Sequence, residues 1–354
     1  MNERLLFPYR TEEKRQRSIE IIHENYSKIL DEKSKEIYRN RLMITFTGDI
    51  GYVRKLVMLT EAGNRFFDFL NGQKNLYVYG AGIRGRRLVQ MFPEIKWKGF
   101  IDKYKTGICD GLRICCLAEM KNNDVVVLIS NLTGCEEIKN DIVKQGVSEK
   151  NIYELNEFEK YAQNDMYFEK RCVGKFIKKN GIFLDVGCYD GEDSIRFLQS
   201  DLFVGNDIYA FEPDINSYHK CKKRLLNHNN VLVYNYALSN CEQKSYFLQN
   251  QGLGSRMVNQ GDNMVDVRTI DNIVGGRTIG YIKLDVEGYE KRVLLGARKH
   301  IVQDKPNMMI SIYHKPEDII EIPMLLREMN PNYNFALGHY NVGGGSETIL
   351  YAYD

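Results

Sequence analysis

The chain has 354 residues, more than one ordinary core of about 150 residues accommodates, so at least two packed units are expected. Hydrophobic residues make up 43% and charged residues 27%, which excludes a disordered or fibrous chain. Lys and Arg (49) nearly balance Asp and Glu (47), so no global field selects nucleic acid or an anionic membrane surface. No apolar run approaches the ~18 residues of a membrane span, and Met1–Arg10 lacks the apolar stretch of a signal peptide. Eight cysteines at irregular spacing, with no C-x-x-C pair, argue against a zinc site and against a disulfide framework. A cytoplasmic protein with reduced thiols is expected.

Residues 1–72 read as a helical N-terminal segment. Ile19, Ile22, Tyr26, Ile29 and Leu30 recur at helical spacing, and no proline follows Pro8 until Pro93. This segment carries no evident chemistry; it packs on the rest of the chain or mediates homo-oligomers.

From residue 73 to 160 strands alternate with helices: strands Leu76–Tyr79, Trp97–Ile101, Val125–Ile129 and Asn151–Leu155, helices Arg87–Phe92 and Cys135–Gln145. This pattern implies a small, mostly parallel, Rossmann-like α/β domain. Its first turn, Gly80-Ala81-Gly82-Ile83-Arg84-Gly85, satisfies G-x-G-x-x-G, and Asp102 ends the next strand, where a ribose-binding acid belongs. With Gly99–Asp102 and Gly111–Ile114, this run resembles the N-terminal domain of NeuD-type sugar O-acetyltransferases, a resemblance that implies nucleotide-sugar binding. Three readings stand: Gly80, Gly82, Gly85 and Asp102 bind a nucleotide or nucleotide sugar, the loop only packs, or it binds NAD. The segment is barely half of a doubly wound dinucleotide domain, and no dehydrogenase-like catalytic pair accompanies it.

Residues 161–354 hold a second alternating series. Strands are expected at Ile182–Val186, Ile208–Glu212, Val231–Tyr236, Tyr281–Asp285, Met308–Tyr313, Asn334–Leu337 and Thr348–Tyr353. Helices are expected at Ser194–Leu198, Ser217–Leu226, Tyr289–Ile301 and Pro316–Met329. The last two strands are joined through Gly343-Gly344-Gly345, too short for a crossover helix, so they pair as an antiparallel hairpin. The expected architecture is α/β: a seven-stranded class I Rossmann-like sheet with a C-terminal antiparallel hairpin.

In Asp185-Val186-Gly187-Cys188-Tyr189-Asp190-Gly191 an apolar strand runs into a glycine turn that opens a helix containing Ser194. Such a turn at the carboxyl edge of a parallel sheet is a ligand site. Gly187 and Gly191 give the backbone freedom to approach a ligand. S-adenosylmethionine carries a cationic amine and a sulfonium, so carboxylates such as Asp185 or Asp190 suit it. Glu212-Pro213 ends the next strand, where Glu212 is placed to accept hydrogen bonds from a ribose diol. Ala237, in the third strand region, lies where an adenine edge is expected.

These residues, with Phe211-Glu212-Pro213, Ala237-Leu238-Ser239, Ile282–Glu290, Val293-Leu294, Gly296-Ala297 and Ile312–Lys315, resemble the FkbM family of methyltransferases over about Tyr161–Asp354. The resemblance implies an S-adenosylmethionine-dependent O-methyltransferase acting on a sugar or natural-product hydroxyl, with a small-molecule or glycan acceptor. Methyl transfer is an in-line displacement, so alignment dominates, and an alcohol also needs help losing its proton. Asp285 and Glu287 leave the fourth strand and His314 the fifth. One of them serves as general base, or together they hold a divalent cation. N-capping of the following helix by the acids, pairing of Lys283 with Asp285, and a merely structural His314 stand as the competing accounts. The polar segment Gln249–Arg268 reads as a substrate loop or a plain surface loop. Rival functions are an NAD-dependent sugar-nucleotide oxidoreductase using Gly80–Gly85 and a non-catalytic nucleotide sensor.

Overall fold

The computed structural model describes residues 12–120, 124–248, 256–258 and 264–354. Packing divides the chain into two compact units. One comprises Met1–Tyr38, Asp165–Gly338 and Glu347–Asp354; the other comprises Arg39–Asn164 and His339–Ser346.

The unit built around 39–164 contains six strands: β1 (Leu76–Tyr79), β2 (Gly99–Ile101), β3 (Gly107–Cys109), β4 (Leu112–Cys115), β5 (Val126–Ile129) and β6 (Ile152–Glu154). Their order is β3-β4-β2-β1-β5-β6. Every neighbouring pair is parallel except β3 and β4. The sequence reading passed over β3 and β4. They are joined by Asp110 and Gly111, both left-handed (φ 48° and 77°), the two-residue turn that suits a twisted hairpin. The helices Ile50–Met58 and Glu61–Asn71 start at Asp49 and Thr60, whose side chains accept from the backbone of the first turn. Phe66 and Leu70 from the second helix sit in one core with Leu76, Phe92 and Phe100.

The other unit carries β7 (Ile182–Val186), β8 (Ile208–Phe211), β9 (Val231–Tyr234), β10 (Tyr236–Leu238), β11 (Gln243–Leu248), β12 (Arg256–Val258), β13 (Met264–Arg268), β14 (Ile279–Leu284), β15 (Asn307–Ser311), β16 (Asn334–His339) and β17 (Thr348–Tyr353). Seven of them form one sheet in the order β16-β17-β15-β14-β7-β8-β9. The strands β9, β8, β7, β14 and β15 run parallel, and β17 inserts antiparallel beside β15. This is the Rossmann-like sheet with a reversed C-terminal strand that the alternation implied. The central strands β7, β8, β14 and β15 are buried along their whole length, as a parallel sheet covered on both faces requires. Phe183 of β7 stacks on Phe197 of the helix Glu192–Gln199 at 4.0 Å between ring centroids.

Three expected elements differ. The strand foreseen over 231–236 breaks at Asn235, whose Nδ2 donates to the carbonyls of Glu212 and Pro213. Its second half, β10, joins β11, β12 and β13 in a separate four-stranded sheet. That sheet takes up much of the segment read as a loop over 249–268; residues 249–255 and 259–263 lie outside the described residues. The helix foreseen over 289–301 is two helices, Glu290–Gly296 and Arg298–Asp304. Gly296 packs against the Ser239 carbonyl with no room for a Cβ, so the turn after it bends around that strand end.

The N-terminal helix Glu12–Ser27 packs on Asp318–Met329. Asn25 is fully buried there, donates to the Ile320 carbonyl at 2.9 Å and accepts from Arg327 at 2.9 Å. Ser34 accepts from the amide of Leu337 in β16 at 2.8 Å. Among the described residues no helix is long and apolar enough to cross a membrane.

Candidate active site

Register determines which residues meet at the carboxyl edge of the seven-stranded sheet. Leu284 is paired with Val186, and Val186 with Phe211. Gly187, Glu212 and Asp285 therefore leave three adjacent strands side by side. The amides of Gly187 and Cys188 both donate to the Phe211 carbonyl at 3.0 Å, and the Asp285 amide donates to the Val186 carbonyl at 3.0 Å. Gly187 is left-handed at φ 77°, and a Cβ there would collide with the Asp285 carbonyl. Only glycine brings the two strand ends this close.

Glu212 is 8% exposed. One carboxylate oxygen accepts from the Tyr189 amide at 2.9 Å and the other from the Asp214 amide at 2.8 Å. Burial pushes the carboxyl up to about 7 against those two hydrogen bonds. Each oxygen retains a lone pair, so a vicinal diol, donating two hydrogen bonds, fits this group and restores what desolvation removes. Pro213 follows it, and Ala237 lies buried in β10 rather than in the main sheet.

Behind the turn lies a buried ionic network. Lys283 Nζ is 3.2 Å from Asp185 and 3.3 Å from Asp193, and it donates to the Gly187 carbonyl at 2.7 Å. Burial works against the ammonium, but Asp185 and Asp193 hold its pKa above the ordinary lysine value. The second oxygen of Asp185 accepts from the Ser194 hydroxyl at 2.7 Å. Asp185 and Ser194 thus fix the turn from inside. Lys283 pairs with Asp185 and Asp193, not with Asp285. Asp190 bonds Arg224 at 2.8 Å, Tyr189 is 60% exposed with φ 47°, and Gly191 (φ 84°) opens the next helix.

Beside the turn stands a carboxylate–histidine cluster. His314 Nε2 lies 3.5 Å from Asp285 and 3.4 Å from Glu287, while Nδ1 is 2.8 Å from Glu290. Glu290 is fully buried, and the same oxygen also accepts from the amides of Val286 and Gly288. Burial lowers the imidazole pKa, but the Glu290 hydrogen bond and the Asp285 charge outweigh it and hold it up at about 9. At neutral pH His314 is a cation and a hydrogen-bond donor, not a base. Burial raises the Glu287 carboxyl, and Glu287 takes a left-handed φ of 53°. The other oxygen of Asp285 accepts from Tyr167 at 2.7 Å, and Tyr167 also meets Ser311 at 3.0 Å. Asp285, Glu290 and His314 each offer a ligand atom within 4.8 Å of the others. Glu290, rather than Glu287, completes that group.

Residues 185–333 match the model of the family described as the methyltransferase FkbM domain. The likeness covers less than half of the chain. The chain is also similar to the 2-O-methyltransferase NoeI of Sinorhizobium fredii (strain NBRC 101917 / NGR234), with 24% identity over 160 residues, covering 38% of this chain. The match spans 65% of NoeI, just under two thirds of that relative's length. Among solved structures, a methyltransferase FkbM from Methylobacillus flagellatus KT matches at 15% identity and a TM-score of 0.48, covering 91% of this chain and 99% of its own. Aeropyrum pernix fibrillarin, solved with natively bound S-adenosyl-L-methionine, matches at 11% identity and a TM-score of 0.31, covering 49% of this chain and 67% of its own.

Sequence reasoning did not single out Tyr167 or Glu347 in and around this segment. Tyr167 precedes the first strand and reaches Asp285 only through the tertiary fold. Glu347 precedes β17, which returns antiparallel to the same edge. Glu290 and Tyr313 lay within recognised motifs, but nothing in their spacing assigned them contacts.

In the other unit, Gly80 is left-handed (φ 100°) and Gly85 packs against the Gly80 carbonyl. Gly82 caps the helix Ile83–Met91. Asp102 accepts from the amides of Ala81, Tyr104 and Lys105, all between 2.9 and 3.0 Å. Its carboxylate is engaged in bracing its own turn.

Proposed function

We propose that this chain transfers a methyl group from S-adenosylmethionine to a hydroxyl of a sugar or related polar acceptor. The carrying observation is the packing of Gly187 on the Asp285 backbone, which sets the cofactor turn and the carboxylate–histidine cluster at one sheet edge. The match to the FkbM domain and the similarity to a 2-O-methyltransferase support the reading.

When bound, S-adenosylmethionine supplies a methyl group activated by a sulfonium. Glu212 accepts the ribose hydroxyls, and Gly187 and Tyr189 shape the backbone that faces the cofactor. Asp185 and Ser194 act through Lys283 and the turn. Asp285, fixed by Tyr167, lies beside the acceptor and helps aim its oxygen along the line of displacement. His314, as a cation, and Glu287 flank that hydroxyl.

A divalent cation, where one takes part, is held by Asp285, Glu290 and His314 once the imidazole has given up its proton, a set of two carboxylates and an imidazole that suits manganese, iron or zinc. Dialysis against EDTA tests this: turnover lost and restored by one of these metals supports a cation, and unchanged turnover excludes it. Recognition of a nucleotide by Gly80, Gly82 and Gly85 is a separate proposal, which titration of uridine diphosphate and NADH into the full chain checks. In Asp285→Asn the account expects S-adenosylhomocysteine affinity within about threefold of wild type and turnover lower by about 10²-fold. Equal loss of both would contradict the assigned roles.

A further inference from the structure

Each carboxylate so far described beside the acceptor site already has a partner. Glu287 lies 3.4 Å from His314 Nε2 and is half exposed to water. Glu290 accepts from two amides and the imidazole. Asp285 is bonded to Tyr167 on one side and faces His314 on the other.

The antiparallel strand brings a further carboxylate to the same edge. Ser311 is paired with Ile349, and the Ile312 amide donates to the Thr348 carbonyl at 3.0 Å. Glu347, just before Thr348, is therefore carried alongside Tyr313. It is half-buried and left-handed at φ 59°, a conformation a glutamate adopts only at a cost. Its carboxyl is hydrogen-bonded to the Tyr313 phenol, and it feels the charges of Asp285 and Glu287 at the end of β14 and of His314 after β15.

We propose that Glu347 is the general base that takes the proton from the acceptor hydroxyl, with Tyr313 as its positioning residue. This rests on the transferase reading above. In the step, the hydroxyl O–H bond breaks and its proton passes to a Glu347 oxygen. The acceptor oxygen forms its bond to the methyl carbon as the carbon–sulfur bond breaks. That electron pair stays on sulfur, leaving the neutral thioether, and Glu347 then releases the proton to solvent. Burial, reinforced by the Asp285 charge, raises the Glu347 carboxyl to about 7, near the optimum for a base at neutral pH.

The test uses the full chain with S-adenosylmethionine and a panel of neutral methyl glycosides. Glu347→Gln is expected to lower kcat by about 10²–10⁴-fold. It should leave the KM for glycoside and the S-adenosylhomocysteine affinity within about threefold, and Glu347→Asp should recover part of the loss. Tyr313→Phe should lower kcat by about tenfold with KM unchanged. A folded Glu347→Gln chain that keeps kcat within about threefold overturns the proposal, as does a loss confined to KM. Should Glu347→Gln fail to fold, Glu347→Asp and Tyr313→Phe decide: wild-type kcat in both overturns it. If wild type binds S-adenosylhomocysteine yet methylates no glycoside, the transferase reading falls and this inference with it.

Discussion

Gly187 and Gly82 look alike in the sequence, each opening a strand-to-helix turn, but they face different constraints. A Cβ at Gly187 meets the Asp285 carbonyl in a left-handed backbone; one at Gly82 meets nothing within 4 Å, at φ −87°. Gly187→Ala is expected to cost about 2–4 kcal/mol in urea unfolding, from the left-handed penalty plus the displaced neighbour. Gly82→Ala should stay within about 0.5 kcal/mol; similar losses at both sites would contradict the packing described. Glu212 carries a pH signature. Its folded pKa, about 7, lies above the ordinary value of 4.5, so its contribution to stability is full below about 4.5 and is lost as pH rises through about 7. Hydroxyls donating to the ionised carboxylate favour that form, so ligand binding near pH ~6.5 should release a proton and near pH ~8.5 should not. Calorimetry of S-adenosylhomocysteine in buffers of different protonation enthalpy reads this release, and Glu212→Gln should abolish it. The identities of Gly187, Glu212 and Asp285 as edge residues were legible because strand periodicity and turn glycines place them. What each carboxylate touches was not legible, since Lys283 chooses Asp185 and Asp193 through the register of β14 on β7.

At the scale of elements, the parallel strands were readable because burial on both faces gives continuous apolar runs such as Ile182–Val186. The hairpin β3–β4 was missed although Asp110-Gly111 signals it, because two short, partly exposed strands carry little apolar alternation. The split at Asn235 was not readable: its cause is a side-chain amide bonded to carbonyls more than twenty residues earlier. The β7–β14 pair depends on the Lys283 network. Lys283→Met would leave the buried Asp185 without its cation and Asp193 with Arg196 alone, at a cost of about 3–5 kcal/mol. Urea unfolding at unchanged m-value checks this, and a loss below about 1 kcal/mol would show that solvent or a rearranged partner replaces the lysine.

For the whole molecule, the chain passes between its two compact units four times, at 38/39, 164/165, 338/339 and 346/347. The composition of residues 1–72 announces helices but not which core each one serves, since that choice is made by single contacts such as Asn25 with Ile320. A fragment spanning 161–354 would lack Asn25 and Ser34 and expose the buried face of the helix Asp318–Met329. It is expected to unfold at lower urea than the full chain; equal midpoints would show that the N-terminal helices contribute nothing to this unit. The account as a whole rests on one edge of one sheet holding an adenosyl cofactor beside an acceptor. The direct measurement is calorimetric titration of S-adenosylhomocysteine into the full chain and its Glu212→Ala and Asp285→Asn variants. The account predicts one site per chain, lost in Glu212→Ala and kept in Asp285→Asn. A folded wild-type chain that binds none, or binding indifferent to Glu212, would contradict it.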